Sequence, residues 1–362
     1  MALDEERLEN VRMLRESAAA VADRIDLTRV RAQRFRQPGF DRAVWRQMAE
    51  LGWLGLRLPE ERGGAGLGMA ELIALAEELG AALAPEPFIC GLMAVDMLDG
   101  AYLEAALTGE KIVLAAWQEQ PRQLDDGEVE TTFDGRVSGR KLHVPMAAGA
   151  DAFAVTTRQG VAIVDAKDPG LTIEITQAQD GGHWGTLTFD SARAEPGRAP
   201  RENWLDEAVL ATAASLLGII DAALERTVDY LNVRQQFGVK IGTFQALQHR
   251  AVDLKQQALL TRASIEDAAA IMDEGQGPAA KAASSRAKAR ASDAAQIVTR
   301  QAIQLHGGIG YTDEHDIGLF LRKAMVLAPS FGDSALHRRR FAHFQTQASE
   351  IAAADSKEGL PA

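Results

Sequence analysis

The feature that most limits how this chain can fold is a set of apolar residues at seven-residue spacing in its C-terminal half. Four leucines keep this spacing and two neighbours widen the stripe: Leu210, Leu217, Leu224, Leu231, Leu216 and Ile220. Two further periodic runs follow, at 247–258 and at the alanine-rich 291–305. Long helices with such stripes pack side by side. The sequence therefore predicts a four-helix bundle over residues 203–350.

A glycine-rich elbow interrupts this helical pattern between Gln304 and Asp333. Gly307 and Gly308 follow the last periodic residue, Leu305, as glycines do just past the end of a helix. A second amphipathic run begins at Ile317. Glycine also lets a ligand approach the backbone, and Gly310 extends that property to the rest of the turn. On spacing alone, the elbow is either a plain helix connection or a ligand site.

The segment 1–108 has helical periodicity of its own. Three apolar stripes are apparent: Leu8, Val11, Ala18 and Val21; Phe40, Val44, Met48 and Leu51; and Leu72, Leu75 and Leu79. The loop 58–66 contains a proline and three glycines, so it cannot be helical throughout. It lacks the Lys-Ser/Thr pair of a phosphate-binding loop. We interpret it as a surface connection.

Between residues 109 and 202 the apolar period shortens to two. Six runs rich in β-branched residues are separated by Gly, Asp and Pro: 112–117, 129–133, 153–157, 161–164, 171–176 and 186–189. This pattern predicts a compact antiparallel barrel or sandwich. The expected class is therefore α+β, with a helical domain at 1–108, a β domain at 109–202, a helical bundle at 203–350 and a loose tail at 351–362.

Composition excludes several classes of function. A net charge of −12 argues against nucleic acid as a partner. A single cysteine, Cys90, precludes an internal disulfide and fits a protein of the reducing cytoplasm. We expect Cys90 to fill space in the core. Neither a signal peptide nor an apolar run of about 20 residues is apparent. The seven histidines show no metal-ligand spacing, and we expect His337 and His343 on a solvated or interface face of the last helix.

Three motifs, in order along the chain, resemble those of the acyl-CoA dehydrogenase family of flavoproteins. The first is LGWLGLRLPEERGGAGLG, residues 51–68. The second is Arg234-x-x-Phe237-Gly238, followed by Ile241, Gln245 and His249. The third is Gln304-x-x-Gly307-Gly308-x-Gly310-Tyr311. The piece SGRKLHVPMAAGADAFAV is similar to the middle domain of the same family.

The resemblance implies FAD as cofactor, an acyl-CoA thioester as substrate and an electron-transfer flavoprotein or similar protein as electron acceptor. In this family the nucleotide-binding groups reach the flavin of a neighbouring subunit. Arg234 corresponds to the group that binds the pyrophosphate, and Phe237 and Gln245 to those beside the adenosine. Gln304 and the turn of Gly307, Gly308 and Gly310 correspond to the groups that offer backbone donors.

The same resemblance places no catalytic base where one is expected. The base of α,β-dehydrogenation is a carboxylate in an apolar slot. One subgroup's base position falls on Phe331; the other falls on Ala208, with Val209 beside it. Asp333 and Glu207 are the weak candidates for a displaced base, and both are equally explained as helix caps.

The loop that meets the flavin ring in the family is absent from the corresponding stretch, 115–128, although Trp117 and Gln118 there could stack or hydrogen-bond. What is missing serves a subunit's own flavin ring, and what remains serves its neighbour's. The chain thus resembles the non-catalytic subunit of heteromeric α2β2 dehydrogenases of steroid side chains, paired with a homologous catalytic subunit. The alternatives are a self-sufficient dehydrogenase with a displaced base, and a flavin oxygenase or scaffold on the same fold.

Overall fold

The structure is a computed structural model that describes residues 4–124 and 129–358. Its N-terminal part is helical, as the sequence predicts. The helices there are α1 (Glu5–Val21), α2 (Thr28–Gln33), α3 (Arg42–Glu50), α4 (Met69–Ala81), α5 (Phe88–Asp96) and α6 (Gly100–Leu107). The Asp4 carboxylate accepts the backbone N–H of Arg7 at 2.9 Å and so caps α1.

The predicted apolar stripes of this part reach the core unevenly. Met48, Leu72 and Leu75 are buried, whereas Leu8 and Leu51 are exposed. Leu51 directly follows α3, at the start of the turn that leads to the buried Trp53. Helix α1 packs against α4 and buries only Ala18 fully, while Val11 and Val21 are half-buried.

The middle part contains two four-stranded sheets, which confirms a β domain between two helical ones. The first sheet has the order β1 (Val113–Ala116), β4 (Ala152–Thr157), β5 (Gly160–Asp165), β8 (Glu195–Pro196). The second has the order β2 (Thr132–Phe133), β3 (Arg136–Pro145), β7 (His183–Arg193), β6 (Leu171–Gln177). Within the described ranges neither sheet closes into a barrel.

One strand pair departs from the predicted antiparallel pattern. Strands β1 and β4 are parallel, with Val113 opposite Ala152. The chain leaves the first sheet after β1, forms β2 and β3 in the second, and then returns in the original direction. Strand β3 itself is missing from the sequence prediction. Its buried Lys141 interrupts the apolar alternation by which strands are identified.

The C-terminal part is helical, as predicted. It consists of α7 (Trp204–Val233), α8 (Gln245–Glu274), α9 (Pro278–His306), α10 (Ile317–Leu327) and α11 (Ser334–Glu358), with a small hairpin, β9 (Gln235–Gln236) and β10 (Val239–Lys240), between α7 and α8. Helix α9 packs against each of the other four. The four leucines of the seven-residue repeat are all buried along α7.

Helix α7 is the one helix in the described residues with the length and apolar composition to cross a membrane. In the fold, 94% of its apolar window is buried. It contacts α4, α5, α8, α9 and α10. The apolar surface of α7 is therefore covered by these five helices.

Two predictions about the C-terminal end need correction. Helix α11 continues to Glu358, well into the segment 351–362 that the sequence predicts as a loose tail, and residues 359–362 lie outside the described residues. His337 is fully buried rather than on an outer face, because α11 turns that side towards α9; His343 is exposed as expected.

Candidate functional site

A cavity of about 670 Å3 lies where the three parts of the chain meet. Its wall comes from α4 and α5, the segment after β1, strand β3, the loop between β6 and β7, and the turn between α10 and α11. Much of the lining is apolar, with Phe88, Val144 and Leu327 as examples. This volume is typical of a pocket for an organic ligand, roughly 300–1,000 Å3.

Two aromatic side chains form one wall of this cavity. The rings of Trp117 and Phe331 lie within 7° of parallel, with centroids 6.0 Å apart. The Trp204 ring packs edge-on against the Trp117 ring, with centroids 6.4 Å apart. Phe331 holds the place that the resemblance assigns to the base. A phenyl ring has no acceptor for a proton, so this wall can pack against a ligand but cannot deprotonate it.

The second base position, Ala208, is buried within α7 next to Val209. Glu207, one residue earlier, is also buried and lies outside the cavity lining. Its carboxylate accepts four hydrogen bonds, two from Arg57 at 2.8 and 3.2 Å and two from Arg201 at 3.1 Å. Glu207 therefore bridges Arg57 and Arg201, and this role differs both from a catalytic base and from the helix cap expected from the sequence.

The described lining of the cavity includes three carboxylates, and each is paired with a cation. Glu86 is bound by Arg29. Asp180 accepts from Lys323 at 3.1 Å, and Asp333 lies 3.3 Å from Arg122. Sequence patterns do not indicate Glu86 and Asp180, because their proximity to the cavity depends on loops from different parts of the fold.

Asp333 also caps helix α11. Its Oδ1 accepts the backbone N–H of Leu336 at 2.8 Å. This hydrogen bond, with the nearby charge of Arg122, holds the pKa of Asp333 below its ordinary value. The carboxylate is thus a stabilised anion, a weaker base than a carboxylate in an apolar slot. The capping role proposed from the sequence fits this geometry.

The segment after β1 carries Trp117 and Gln118 into the cavity lining. Lys141, fully buried on β3, donates to the Trp117 carbonyl at 3.2 Å, to Glu119 at 2.6 Å and to Thr156 at 3.0 Å. Burial opposes ionisation of Glu119, but the hydrogen bond from Lys141 lowers the pKa of that carboxyl overall. The ion pair between Lys141 and Glu119 holds the start of the stretch 115–128, from which the family's flavin-ring loop is absent. Residues 125–128 lie outside the described residues.

The predicted nucleotide-binding residues lie at another place, at the C-terminal ends of α7 and α9. The ring of Tyr230 on α7 stacks on that of His306 on α9 with centroids 4.4 Å apart, which brings the two helix ends together. Arg234 follows α7, is exposed and has no side-chain partner among the described residues. The Phe237 ring is 90% exposed at the tip of the β9–β10 hairpin, and Gln304 at the end of α9 is exposed.

Gln245 begins helix α8 directly after Phe244, and its side chain is exposed. The Phe244 ring contacts that of Phe237 at 6.3 Å, so the start of α8 and the hairpin lie side by side. Gln245 therefore belongs to the same corner of the molecule. An exposed cation, amide groups and an exposed aromatic ring suit a ligand that carries phosphate groups and a nucleobase. Such a ligand would reach these residues from outside the chain.

The three glycines of the elbow have different environments. A Cβ at Gly307 or Gly308 would meet nothing within 4 Å, so the backbone there is open to a ligand. A Cβ at Gly310 would lie 2.7 Å from the Ile303 carbonyl, and Gly310 is buried. Gly310 therefore serves close packing rather than the ligand approach expected from the sequence.

Cys90 lines the cavity from α5 and is buried. Burial raises the pKa of its thiol to about 12. Its Sγ donates to the Ala115 carbonyl at 3.3 Å. A thiol kept protonated in this way is a core residue, as the sequence analysis interprets it.

Comparison with known proteins gives the same relatives for both ends of the chain. The N-terminal domain of acyl-CoA dehydrogenases matches residues 9–99, and the C-terminal domain matches residues 199–345. The acyl-CoA dehydrogenase IpdE2 of Mycobacterium tuberculosis is 32% identical over 318 residues, which cover 87% of this chain and 91% of the relative. IpdE2 of Mycolicibacterium smegmatis is 31% identical, covering 91% and 96%.

Among solved structures, a variant of the Tcur3481-Tcur3483 steroid ACAD superimposes with a TM-score of 0.81 at 29% identity. It covers 96% of this chain and 99% of its own. A chain of the ChsE4-ChsE5 complex of Mycobacterium tuberculosis gives a TM-score of 0.82 at 24% identity, over 100% and 99% of the two chains. This second likeness is one of fold.

Proposed function

This chain belongs to the acyl-CoA dehydrogenase family, and on that premise we propose that it is the non-catalytic subunit of a heteromeric, FAD-dependent acyl-CoA dehydrogenase. In this role it supplies the nucleotide-binding corner of a partner's flavin site and no base of its own. One contrast carries the proposal. Every carboxylate described in the cavity lining is paired with a cation, whereas Arg234 is exposed and has no side-chain partner among the described residues.

The residues of the corner fit the nucleotide end of FAD. The Arg234 guanidinium would bind the pyrophosphate, because its planar donors match phosphate oxygens. Phe237 and Gln245 would lie against the adenosine, and the open backbone at Gly307 and Gly308 would admit the phosphates closely. When bound, FAD supplies the acceptor for the hydride that leaves Cβ of the thioester. All these groups face outwards, so a second subunit has to complete the site.

We assign the substrate to the acyl-CoA thioesters and, more finely, to thioesters of a steroid side chain. The finer assignment rests on the resemblance to a protein named as a steroid ACAD. An electron-transfer flavoprotein or a similar protein would take the electrons from the reduced cofactor. A cytoplasmic setting agrees with the one cysteine of the chain, which is buried and unpaired.

We assign the partner to a homologous, catalytic acyl-CoA dehydrogenase subunit in an α2β2 assembly. Two of the structural relatives are named as pairs of different chains. The exposed apolar side chains Val233, Phe237, Val252 and Leu260 of the α7 end, the hairpin and α8 give this part of the bundle a surface on which a second subunit can pack.

The second candidate function is a self-sufficient dehydrogenase with Asp333 as base. The observation in its favour is that Asp333 lines the cavity next to Phe331. Against it stand the cap to Leu336 and the proximity of Arg122, both of which stabilise the carboxylate as an anion. Glu207 has no comparable support, because it is bound to two arginines away from the cavity.

The test is the flavin-to-protein ratio of the chain purified alone and after co-expression with a homologue that carries the catalytic Glu. We expect little flavin in the lone chain and about one FAD per chain pair in the complex. Dye reduction with an acyl-CoA should likewise require the complex. Full flavin loading and turnover by the lone chain would refute the subunit role and favour the self-sufficient enzyme.

A further inference from the structure

The backbone that carries each of the two stacked rings, Trp117 and Phe331, is hydrogen-bonded by a buried lysine. Lys141 donates to the carbonyl of Trp117 itself. Lys288, on α9, is fully buried beneath the turn that carries Phe331, between α10 and α11. The chain thus places a lysine in the core at two points, although buried lysines are rare and costly. Such positions call for an explanation in terms of what the lysines hold.

Burial lowers the pKa of Lys288 to about 7, and in its protonated form the amino group meets an acceptor for each of its three N–H groups. It donates to the carbonyl of Ala328 at 2.7 Å, to that of Gly332 at 3.2 Å and to the Ser292 Oγ at 3.1 Å. Ser292 in turn donates to the Ala328 carbonyl at 3.1 Å. Lys288 and Ser292 therefore bind the turn on both sides of Phe331.

His337 completes the contacts to this turn from α11. Its Nε2 lies 2.8 Å from the Phe331 carbonyl, so this nitrogen carries the proton and donates it. His337 is fully buried, and burial together with the charge of Lys288 lowers its pKa to about 3. The ring is consequently neutral at ordinary pH, which is the form in which it can lie next to an ammonium group.

The backbone of Phe331 needs this support. Its φ is +55°, in the left-handed region that a residue with a large side chain rarely adopts, and Gly332 follows at +99°. Three carbonyls around this conformation, those of Ala328, Phe331 and Gly332, receive hydrogen bonds from Lys288, Ser292 and His337. A peptide plane that flipped at Phe331 would lose its donor and move the ring away from Trp117.

We propose that Lys288, Ser292 and His337 are positioning residues that hold the Phe331 ring parallel to Trp117 and so set the width of the cavity on that side. None of the three lines the cavity itself; they act through the backbone of the turn, whose Phe331 and Gly332 do line it. This inference concerns the chain's own cavity and does not depend on the proposed subunit role.

The experiment is 19F NMR of the full chain labelled with 5-fluorotryptophan, which gives five signals. Trp117→Phe identifies the Trp117 signal by its loss, and Phe331→Leu gives its position without the ring current of the stacked phenyl group. We expect His337→Phe, which keeps a ring but has no donor, to move the Trp117 signal towards the Phe331→Leu position. Ser292→Ala should move it in the same direction by less.

Two further variants separate positioning from general stability. His337→Gln restores an N–H donor and should return the signal towards the wild-type position. Val298→Ala removes core volume from the same helix, α9, away from the turn, and should lower the melting temperature without moving the signal.

Lys288→Met tests the central contact where that variant folds, and the histidine and serine variants test the inference where it does not. An unmoved Trp117 signal in both His337→Phe and Ser292→Ala would overturn the proposal. An equal shift in Val298→Ala would overturn it as well, because the effect would then follow lost stability.

Discussion

Tyr230 and His306 stack with ring centroids 4.4 Å apart and planes 25° apart, and this contact joins the C-terminal ends of α7 and α9. Arg234 is four residues beyond Tyr230, and its backbone N–H donates to the Tyr230 carbonyl at 2.9 Å. Gly307 directly follows His306. Two motifs more than sixty residues apart in the sequence are thereby brought to one corner of the molecule.

Arg234→Ala should weaken flavin retention in the complex about tenfold to a hundredfold, since a hydrogen-bonded charge contributes about 1.5–3 kcal/mol. Arg234→Lys should recover only part of the loss, because an ammonium lacks the planar donors of the guanidinium. The measurement is FAD content after dialysis. Arg46, on α3, is also exposed, so Arg46→Ala is the matched control and should leave FAD content unchanged. Equal flavin content in the Arg234 and Arg46 variants would remove Arg234 from the site.

The elbow offers a matched pair of glycines. Gly310→Ala should destabilise the chain by about 1–3 kcal/mol, because its Cβ would be 2.7 Å from the Ile303 carbonyl. Gly308→Ala has open space and should change the free energy of unfolding by less than about 0.5 kcal/mol. In the complex, Gly308→Ala should nevertheless lower FAD content. Urea unfolding and flavin absorbance measure the two effects, and the reverse pattern would contradict the assignment.

Glu207→Gln should destabilise the chain by about 3 kcal/mol and leave turnover of the complex nearly unchanged below its melting temperature. The substitution removes a buried carboxylate that Arg57 and Arg201 share, although Arg201 keeps its ion pair with Asp96. Glu225→Gln is the control on the same helix; its pair with Arg24 is exposed and should contribute at most about 0.5 kcal/mol. Loss of turnover in a folded Glu207→Gln complex would instead identify Glu207 as a displaced base.

Asp333 can be tested with two substitutions that separate capping from catalysis. Asn caps a helix about as well as Asp, so Asp333→Asn should keep both stability and turnover of the complex. Asp333→Ala should cost about 1 kcal/mol through loss of the cap to Leu336. Thermal unfolding and dye reduction provide the two readings. A stable Asp333→Asn variant without turnover would support the self-sufficient enzyme.

His337 should make the chain less stable in mild acid. Its pKa is about 3 in the folded chain, against 6.5 for an unperturbed histidine, so the unfolded chain binds more protons between these values. Stability therefore falls as the pH drops through this window, by about 2 kcal/mol between pH 7 and pH 5 from this residue alone.

The measurement is urea unfolding at the two pH values for wild type and His337→Gln. Subtraction of the two pH dependences removes the contributions of the other histidines whose pKa values burial lowers, which are His143, His183, His306 and His315. Identical pH dependence in the two proteins would show that His337 titrates as freely in the folded chain as in the unfolded one.

Much of the fold could be predicted from local patterns. The leucine repeat marks α7, and Gly307 marks the end of α9. Five of the six predicted β runs overlap the strands β1, β4, β5, β6 and β7, and the sixth ends in β2. These elements were accessible because periodicity and chain-breaking residues act over a few neighbours. Strand β3 was not, since Lys141 stands where an apolar residue is expected, and the parallel pairing of β1 with β4 depends on the path of the chain between them.

The candidate site, like the fold, could be predicted from the sequence only in part. The sequence by itself determined the family, the order of helical and β parts, and the presence of Phe331 and Ala208 at the base positions, since these are properties of residue identity and spacing. Only the tertiary structure decided that Glu207 pairs with Arg57, that Gly310 serves packing, and that Lys288 and His337 lie behind Phe331. The reason is physical. A charge or a hydrogen-bonding group acquires its role from the groups placed within a few ångströms of it, and here those groups come from distant parts of the chain.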